Sequence, residues 1–182
     1  MGLFDNIGKA VASAVPSGNR STDVVFTALP DTYEQFCALP QAALSTPAET
    51  AAMTVLALCF YPQDPALSTK MYEFVSGPRT INPAEYQFIK DRFRDKDYVP
   101  RSYFKGAVPA NDYKPSVPYT VTVSENPYTY QNEGYAKVLL SSGGADSPRF
   151  LNLRKAKDGK WYLWEQFILV DIRPPESSNP WA

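Results

Sequence analysis

The chain contains no histidine in its 182 residues. That absence removes histidine triads and dyads, imidazole general bases and imidazole metal ligands together. Cysteine is nearly as scarce: Cys37 and Cys59 are the only two. Two thiolates cannot furnish the tetrahedral shell of a zinc site, so no metal and no cofactor is expected. Each thiol lies in an apolar helical pattern beside an aromatic ring, Phe36 or Phe60, and reads as a buried, reduced side chain. A bridge between them would need an oxidising compartment.

A surplus of charge is missing too. The chain has 18 basic and 19 acidic residues, for a net charge of -1. Nothing here neutralises a phosphate backbone, so nucleic acid is not an expected partner. Long hydrophobic runs are also absent. The apolar stretch 51–61 is too short to span a bilayer and carries Thr54. The N-terminus lacks a basic first region and contains Asp5, so no secretory signal is expected and the default location is cytoplasmic.

What is present suits one packed domain with a terminal appendage. The chain is 44% hydrophobic and 20% charged, enough for a core and too apolar for global disorder. Residues 1–20 form the appendage. Leu3, Phe4, Ile7, Val11, Ala14 and Val15 recur at helical spacing over residues 2–15, and a Pro/Ser/Gly/Asn linker follows over 16–21. Such a segment makes weak contact with a membrane surface, or docks on its own domain or a second subunit. The single lysine on its polar side favours docking. Asn6 stands where N-myristoylation at Gly2 would want Ser or Thr.

Residues 21–182 read as a single α+β domain, with helices to about residue 97 and an antiparallel sheet from about residue 119. A short helix is expected over Asp31 to Leu39 with Asp31 as its cap. Thr46, Pro47 and Glu49 have capping-box spacing and open a helix that Pro62 stops. That helix is apolar on nearly every face, which makes it central. A third helix is read over Ser68 to Val75. Asn82, Pro83 and Glu85 repeat the capping-box spacing for a fourth. The run Lys90 to Asp97 alternates in sign and reads as a solvated helix end.

Residues 98–119 are irregular and proline-rich, with a short strand expected over Ser102 to Lys105. Strands follow over Tyr119 to Ser124, Tyr135 to Ser141, Arg149 to Lys155 and Trp161 to Val170. Gly143-Gly144 and Asp158-Gly159 mark the turns. All three tryptophans lie beyond residue 160. Strict alternation in the last strand puts Trp161, Leu163, Glu165, Phe167 and Leu169 on one face. Tyr162, Trp164, Gln166, Ile168 and Val170 fall on the other. Both faces are apolar, so each is expected to be covered.

Glu165 is the sequence's candidate catalytic carboxylate. If buried, it needs a partner from Arg149, Arg154 or Arg173. Tyr162, Trp164, Arg154, Asp146 and Arg149 are the candidate binding residues. The Gly143 to Arg149 loop joins two strands and lacks the Gly-Lys-Ser/Thr ending of a phosphate loop, so a hairpin with an Asp turn accounts for it.

The strings Ser142-Gly143-Gly144-Ala145-Asp146-Ser147-Pro148-Arg149, Trp161-Tyr162-Leu163-Trp164-Glu165, Asp171-Ile172-Arg173 and Pro180-Trp181-Ala182 resemble the C-terminal block of a family of bacterial proteins. These come from Firmicutes and gut anaerobes, in a domain family of unknown function. The resemblance implies no activity. At the level of element order, helices followed by a curved sheet ending in a Gly-Lys-Trp hairpin are similar to the nuclear-transport-factor-two-like cone. Enzymes of that superfamily often use an Asp-His or Tyr-Asp pair, and this chain has no histidine.

Two functions follow. The favoured one is a soluble, non-enzymatic interaction or structural module that self-associates as a homo-oligomer or meets a protein partner. The alternative is a cone that binds or transforms a small molecule, in which Glu165 or Asp146 acts with Tyr162, Tyr135 or Arg154.

Overall fold

Five strands lie in chain order in one antiparallel sheet: β1 (Arg20–Phe26), β2 (Tyr119–Glu125), β3 (Tyr135–Leu140), β4 (Arg149–Lys155) and β5 (Trp161–Gln166). Four helices, α1 (Tyr33–Cys37), α2 (Pro47–Cys59), α3 (Pro65–Ser76) and α4 (Pro83–Arg92), come between β1 and β2. This computed structural model describes residues 18–181. The amphipathic segment 2–15, and Gly2 with it, lies outside the described residues. The α+β class expected from the sequence holds, and the sheet is open, with β1 and β5 as its edges.

Helix α2 organises the core. Thr46 Oγ1 accepts from the Glu49 amide at 3.2 Å, and the Glu49 carboxylate accepts from the Thr46 amide at 3.2 Å. This capping box satisfies amides that a helix start otherwise leaves bare. From Thr50 to Leu58 every residue is fully buried, and α2 touches all five strands. Its two threonines are satisfied within this apolar setting. Thr54 donates to the Thr50 carbonyl at 2.8 Å, and Thr50 donates across to the Trp161 carbonyl of β5 at 2.8 Å. Helix α3 is tied on behind by Ser68, which donates to the Ala57 carbonyl at 2.8 Å.

Several expectations are corrected. Helix α1 starts later than expected: Thr32, not Asp31, accepts from the Gln35 amide. The Asp31 amide is instead taken by the Gln35 side chain at 2.7 Å. Helix α3 begins a turn earlier, because Asp64 caps the Leu67 amide and Pro65 fits the first helical position. Asn82 does cap α4, but Glu85 does not reach back to close a box. The strand expected at Ser102 to Lys105 is a 3-10 turn over Pro100–Tyr103, followed by one bridge from Phe104 to Val121. Arg20 and Ser21, read as linker, open strand β1, whose seven residues pair with β2. Cys37 and Cys59 are free thiols, as expected; each residue is half-buried, and burial of the Cys59 thiol pushes its pKa up to about 12.

Glu85 is drawn away by a better partner. Arg79 donates to both of its oxygens, at 2.6 and 2.9 Å, and Tyr72 adds a bond of 2.7 Å. Arg79 also donates from Nε to the Leu163 carbonyl of β5 at 3.1 Å. One guanidinium thus links α4, the end of α3 and the sheet edge. Gly77 closes α3 with φ of +59°, and a Cβ there would clash with the Tyr162 ring, 2.2–2.5 Å from three of its atoms.

Burial works to raise the Glu85 pKa, but hydrogen bonds from Arg79 and Tyr72, with the charge of Arg79, hold it below its ordinary value of 4.5. A carboxyl depressed in the folded state contributes stability above its unfolded pKa and loses it as pH falls through the folded one. Glu85→Gln should therefore cost about 1.5–3 kcal/mol at neutral pH. In urea titrations over a pH series, the gap to the wild type should shrink as the pH falls below 4.5. Gly77→Ala should cost about 2–4 kcal/mol from backbone strain and overpacking. Gly18, with open space around it, should tolerate alanine within about 0.5 kcal/mol. Thermal or urea unfolding checks both.

Candidate functional site

Strand β5 departs from regular pairing at Trp164. Leu163 lies opposite Leu153 and Glu165 opposite Asn152, which leaves Trp164 as the extra residue of a bulge. Leu163 is fully buried on the helix side, and Gln166 and Ile168 return to the interior after the bulge. Trp164, Glu165 and Phe167 turn to the outer face. The strict alternation expected for this strand is overturned: Glu165 does not share a face with Leu163, nor Trp164 with Gln166 and Ile168.

The outer face is aromatic and uncovered among the described residues; the helices cover the other face as expected, and cover of this one by a ligand, a second subunit or the segment 2–15 remains an expectation. Phe150 stacks on Phe167 at 4.4 Å, and Tyr135 meets Trp164 edge-on at 6.0 Å. Tyr128 is 70% exposed and Phe167 40%. Lys137 Nζ sits 4.0 Å from the Phe150 ring centre, and the Arg154 guanidinium lies 4.7 Å from that of Trp164. Exposed contacts of this kind are worth about 0.5–1 kcal/mol each. They also hold long side chains in place. The face encloses a shallow depression of about 630 Å³ between the loop bearing Tyr128 and strands β3 to β5.

A polar row crosses the aromatics. Lys137 lies opposite Asn152 on β4, and Asn152 lies opposite Glu165 on β5. Asn152 Nδ2 donates to the Glu165 carboxylate at 2.9 Å. From one side of the face to the other the row reads cation, amide, anion.

A second concavity, of about 550 Å³, lies at the hairpin end of the same strands. Pro78, Tyr162, Leu163 and Trp164 supply apolar wall, and Arg154, Lys155 and Lys157 supply charge. The Asp158-Gly159 turn expected from the sequence forms here, with Asp158 accepting from the Lys160 amide at 2.9 Å. Its other oxygen accepts from the Tyr162 hydroxyl at 2.7 Å. That bond, then the Lys160 amide, lowers the Asp158 pKa. Burial and Asp158 push Tyr162 up to about 12, so its phenol stays protonated at neutral pH.

Three of the six residues singled out in the sequence come together in this groove: Tyr162, Trp164 and Arg154. Glu165 lies on the outer face, exposed, and Asn152 engages it; it forms no ion pair with Arg149, Arg154 or Arg173. Asp146 and Arg149 belong to another corner. Asp146, 92% exposed, pairs with Arg173 at 2.7 Å. Arg149 donates to the carbonyls of Val170, Asp171 and Ser147, holding the segment after β5 against the β3–β4 loop. No group of acidic or thiol side chains is placed to hold a metal among the described residues.

Sequence reasoning missed Lys137, Asn152, Phe150 and Lys157. The first three alternate with the buried Ala136, Val138, Leu151 and Leu153, so a period-two reading of β3 and β4 places them together. Lys157 carries no signal beyond its position in a hairpin turn.

No helix is long and apolar enough to cross a membrane among the described residues. No curated protein and no solved structure matches the chain. A family described as a domain of unknown function (DUF6935) matches residues 28–176, from before α1 to beyond β5, and the chain belongs to that family.

Proposed function

We propose that this domain is a non-enzymatic interaction module that self-associates, with the outer face of the sheet as its contact surface and a second copy of the chain as the occupant. The carrying observation is the row Lys137, Asn152, Glu165 set among exposed aromatics. A two-fold contact brings one patch against itself, so it needs self-complementary charge. An axis lying along β4 exchanges the β3 and β5 sides. It therefore sets Lys137 of each copy over Glu165 of the other. Asn152 stays at the centre, and the flanking Phe150, Phe167 and Tyr128 supply apolar area. Aromatic residues with few charges at the centre are the usual composition of such contacts.

The placement of the carboxylates supports a binding role over a catalytic one. Glu165 is solvated, Asp146 is at the far corner, and neither converges with Arg154 and Tyr162.

The test uses the full chain and its charge reversals in sedimentation over a concentration series, with circular dichroism to verify folding. The wild type should dimerise. Lys137→Glu and Glu165→Lys should each weaken the dimer by about tenfold or more, because like charges then face each other. Combining them should restore association. A wild type that stays monomeric at all concentrations overturns the proposal. So does a folded double variant no better than either single one.

A further inference from the structure

We infer that the groove beside the β4–β5 hairpin is a binding site for a small organic anion, a carboxylate or phosphate carried on a flat apolar body. The inference is independent of self-association, because it rests on a different concavity and different charges.

The charge distribution is the first observation. The chain is net -1, yet four cations line this one groove: Arg79, Arg154, Lys155 and Lys157. Arg79 is consumed by Glu85, Leu163 and Ser76. The other three form no ion pair among the described residues. The single carboxylate in the lining, Asp158, is already bonded to the Tyr162 hydroxyl and the Lys160 amide. Lys155, next to Arg154 on β4, turns its ammonium to the Trp161 ring, so two unpaired cations, Arg154 and Lys157, stand beside one engaged anion. Cations gathered on one concave surface without partners repel one another, and a bound anion relieves that repulsion.

Arg154 is the second observation. Its guanidinium is held 4.7 Å from the Trp164 ring centre and 5.4 Å from that of Tyr135. The two rings hold the guanidinium by cation-π contact, and none of its N–H groups donates to a protein group among the described residues. A planar fork held this way matches the two oxygens of a carboxylate or phosphate, and it loses little freedom on binding. Lys157 then acts as a point charge from the turn.

The walls define the rest of the ligand. Pro78, Tyr162, Leu163 and Trp164 form an apolar lining, and about 550 Å³ suits a molecule of one or two rings. These walls are built rather than pliable. Gly77 admits the Tyr162 ring against the end of α3. Arg79 fastens the residues after Gly77 to the Leu163 carbonyl. Asp158 pins the Tyr162 hydroxyl from the other side. A flat body against these rings, with its anionic group at Arg154 and Lys157, fits both the apolar walls and the charge of the groove.

The test is a fluorescence titration of the full chain with anilinonaphthalene sulfonate, whose sulfonate stands in for the natural anion. Phenylnaphthylamine, a similar body without the charge, is the control. The sulfonate should bind and the neutral control should bind at least about tenfold more weakly, consistent with charge-assisted hydrogen bonds. The double variant Arg154→Ala/Lys157→Ala should lose about tenfold or more in affinity for the sulfonate and leave the control unchanged. Naphthoate and naphthyl phosphate as competitors distinguish the two anion types, and displacement by either supports the site. Lys137→Glu, on the outer face, should leave binding unchanged. Equal affinity for charged and neutral probes overturns the inference. So does a folded double variant with wild-type affinity, or loss of binding in Lys137→Glu alone.

Discussion

Burial of α2 against a single face of the sheet sets the terms for everything else. Nine successive residues, Thr50 to Leu58, lose all contact with solvent. A helix apolar on every side must be enclosed, and here the sheet takes one side while α3 and the irregular segment after α4 take the others. Each fully buried Leu, Val or Met contributes about 1.5–3 kcal/mol of transfer free energy, so this arrangement dominates the core. It also spends the helices. α2 lies on one face of the sheet, and among the described residues nothing remains to cover the other. The exposed aromatics of β3, β4 and β5 follow from that one-sided construction.

The same construction settles the edge of the sheet at β5. An unpaired edge presents bare amides and carbonyls, a template for unwanted pairing. Here the edge is met group by group. The Trp161 amide donates to the Leu44 carbonyl at 2.8 Å. The Trp161 carbonyl accepts from Thr50, and the Leu163 carbonyl accepts from Arg79. Thr50 is thus more than a tolerated polar residue in an apolar helix. Its hydroxyl fixes the height of β5 against α2, and the Arg79 and Glu85 pair fixes the strand against the ends of α3 and α4. Any surface that β5 presents outward is presented from a strand anchored at its back.

Local chemistry was legible in the sequence, and competition between distant groups was not. Thr46 and Glu49 form the box their spacing promises, since the groups that reach the Glu49 carboxylate are the local amides of Ser45 and Thr46. Asn82 and Glu85 have the same spacing, but Arg79 and Tyr72 lie within reach and offer three bonds in place of one. Strand β1 was hidden because Arg20 to Asp23 are polar and edge-exposed, and its partner comes roughly a hundred residues later in the chain. The hairpin turn at Asp158-Gly159 and the order of β2 to β5 were readable from turn residues and alternation. Of the site residues, Tyr162, Trp164 and Arg154 were readable as an aromatic and cationic cluster. Glu165 was misplaced because period-two alternation cannot show where a strand takes an extra residue.

That extra residue separates packing from surface. With Leu163 opposite Leu153 and Glu165 opposite Asn152, removing Trp164 would restore regular pairing and leave Glu165 outward and Gln166 inward as they are. The bulge therefore adds nothing to the alternation that fills the core. It adds one indole to the outer side, at the point where the strand passes its last anchored carbonyl, Leu163. The indole stands where the aromatic face and the hairpin groove meet, and it borders both. It also supplies the ring on which Arg154 rests. A regular strand would bury the same residues and present neither a seated Arg154 nor the shared wall. The structural cost of the bulge has its return on the surface, at the aromatic block near the end of the chain, and not in the packing of the core.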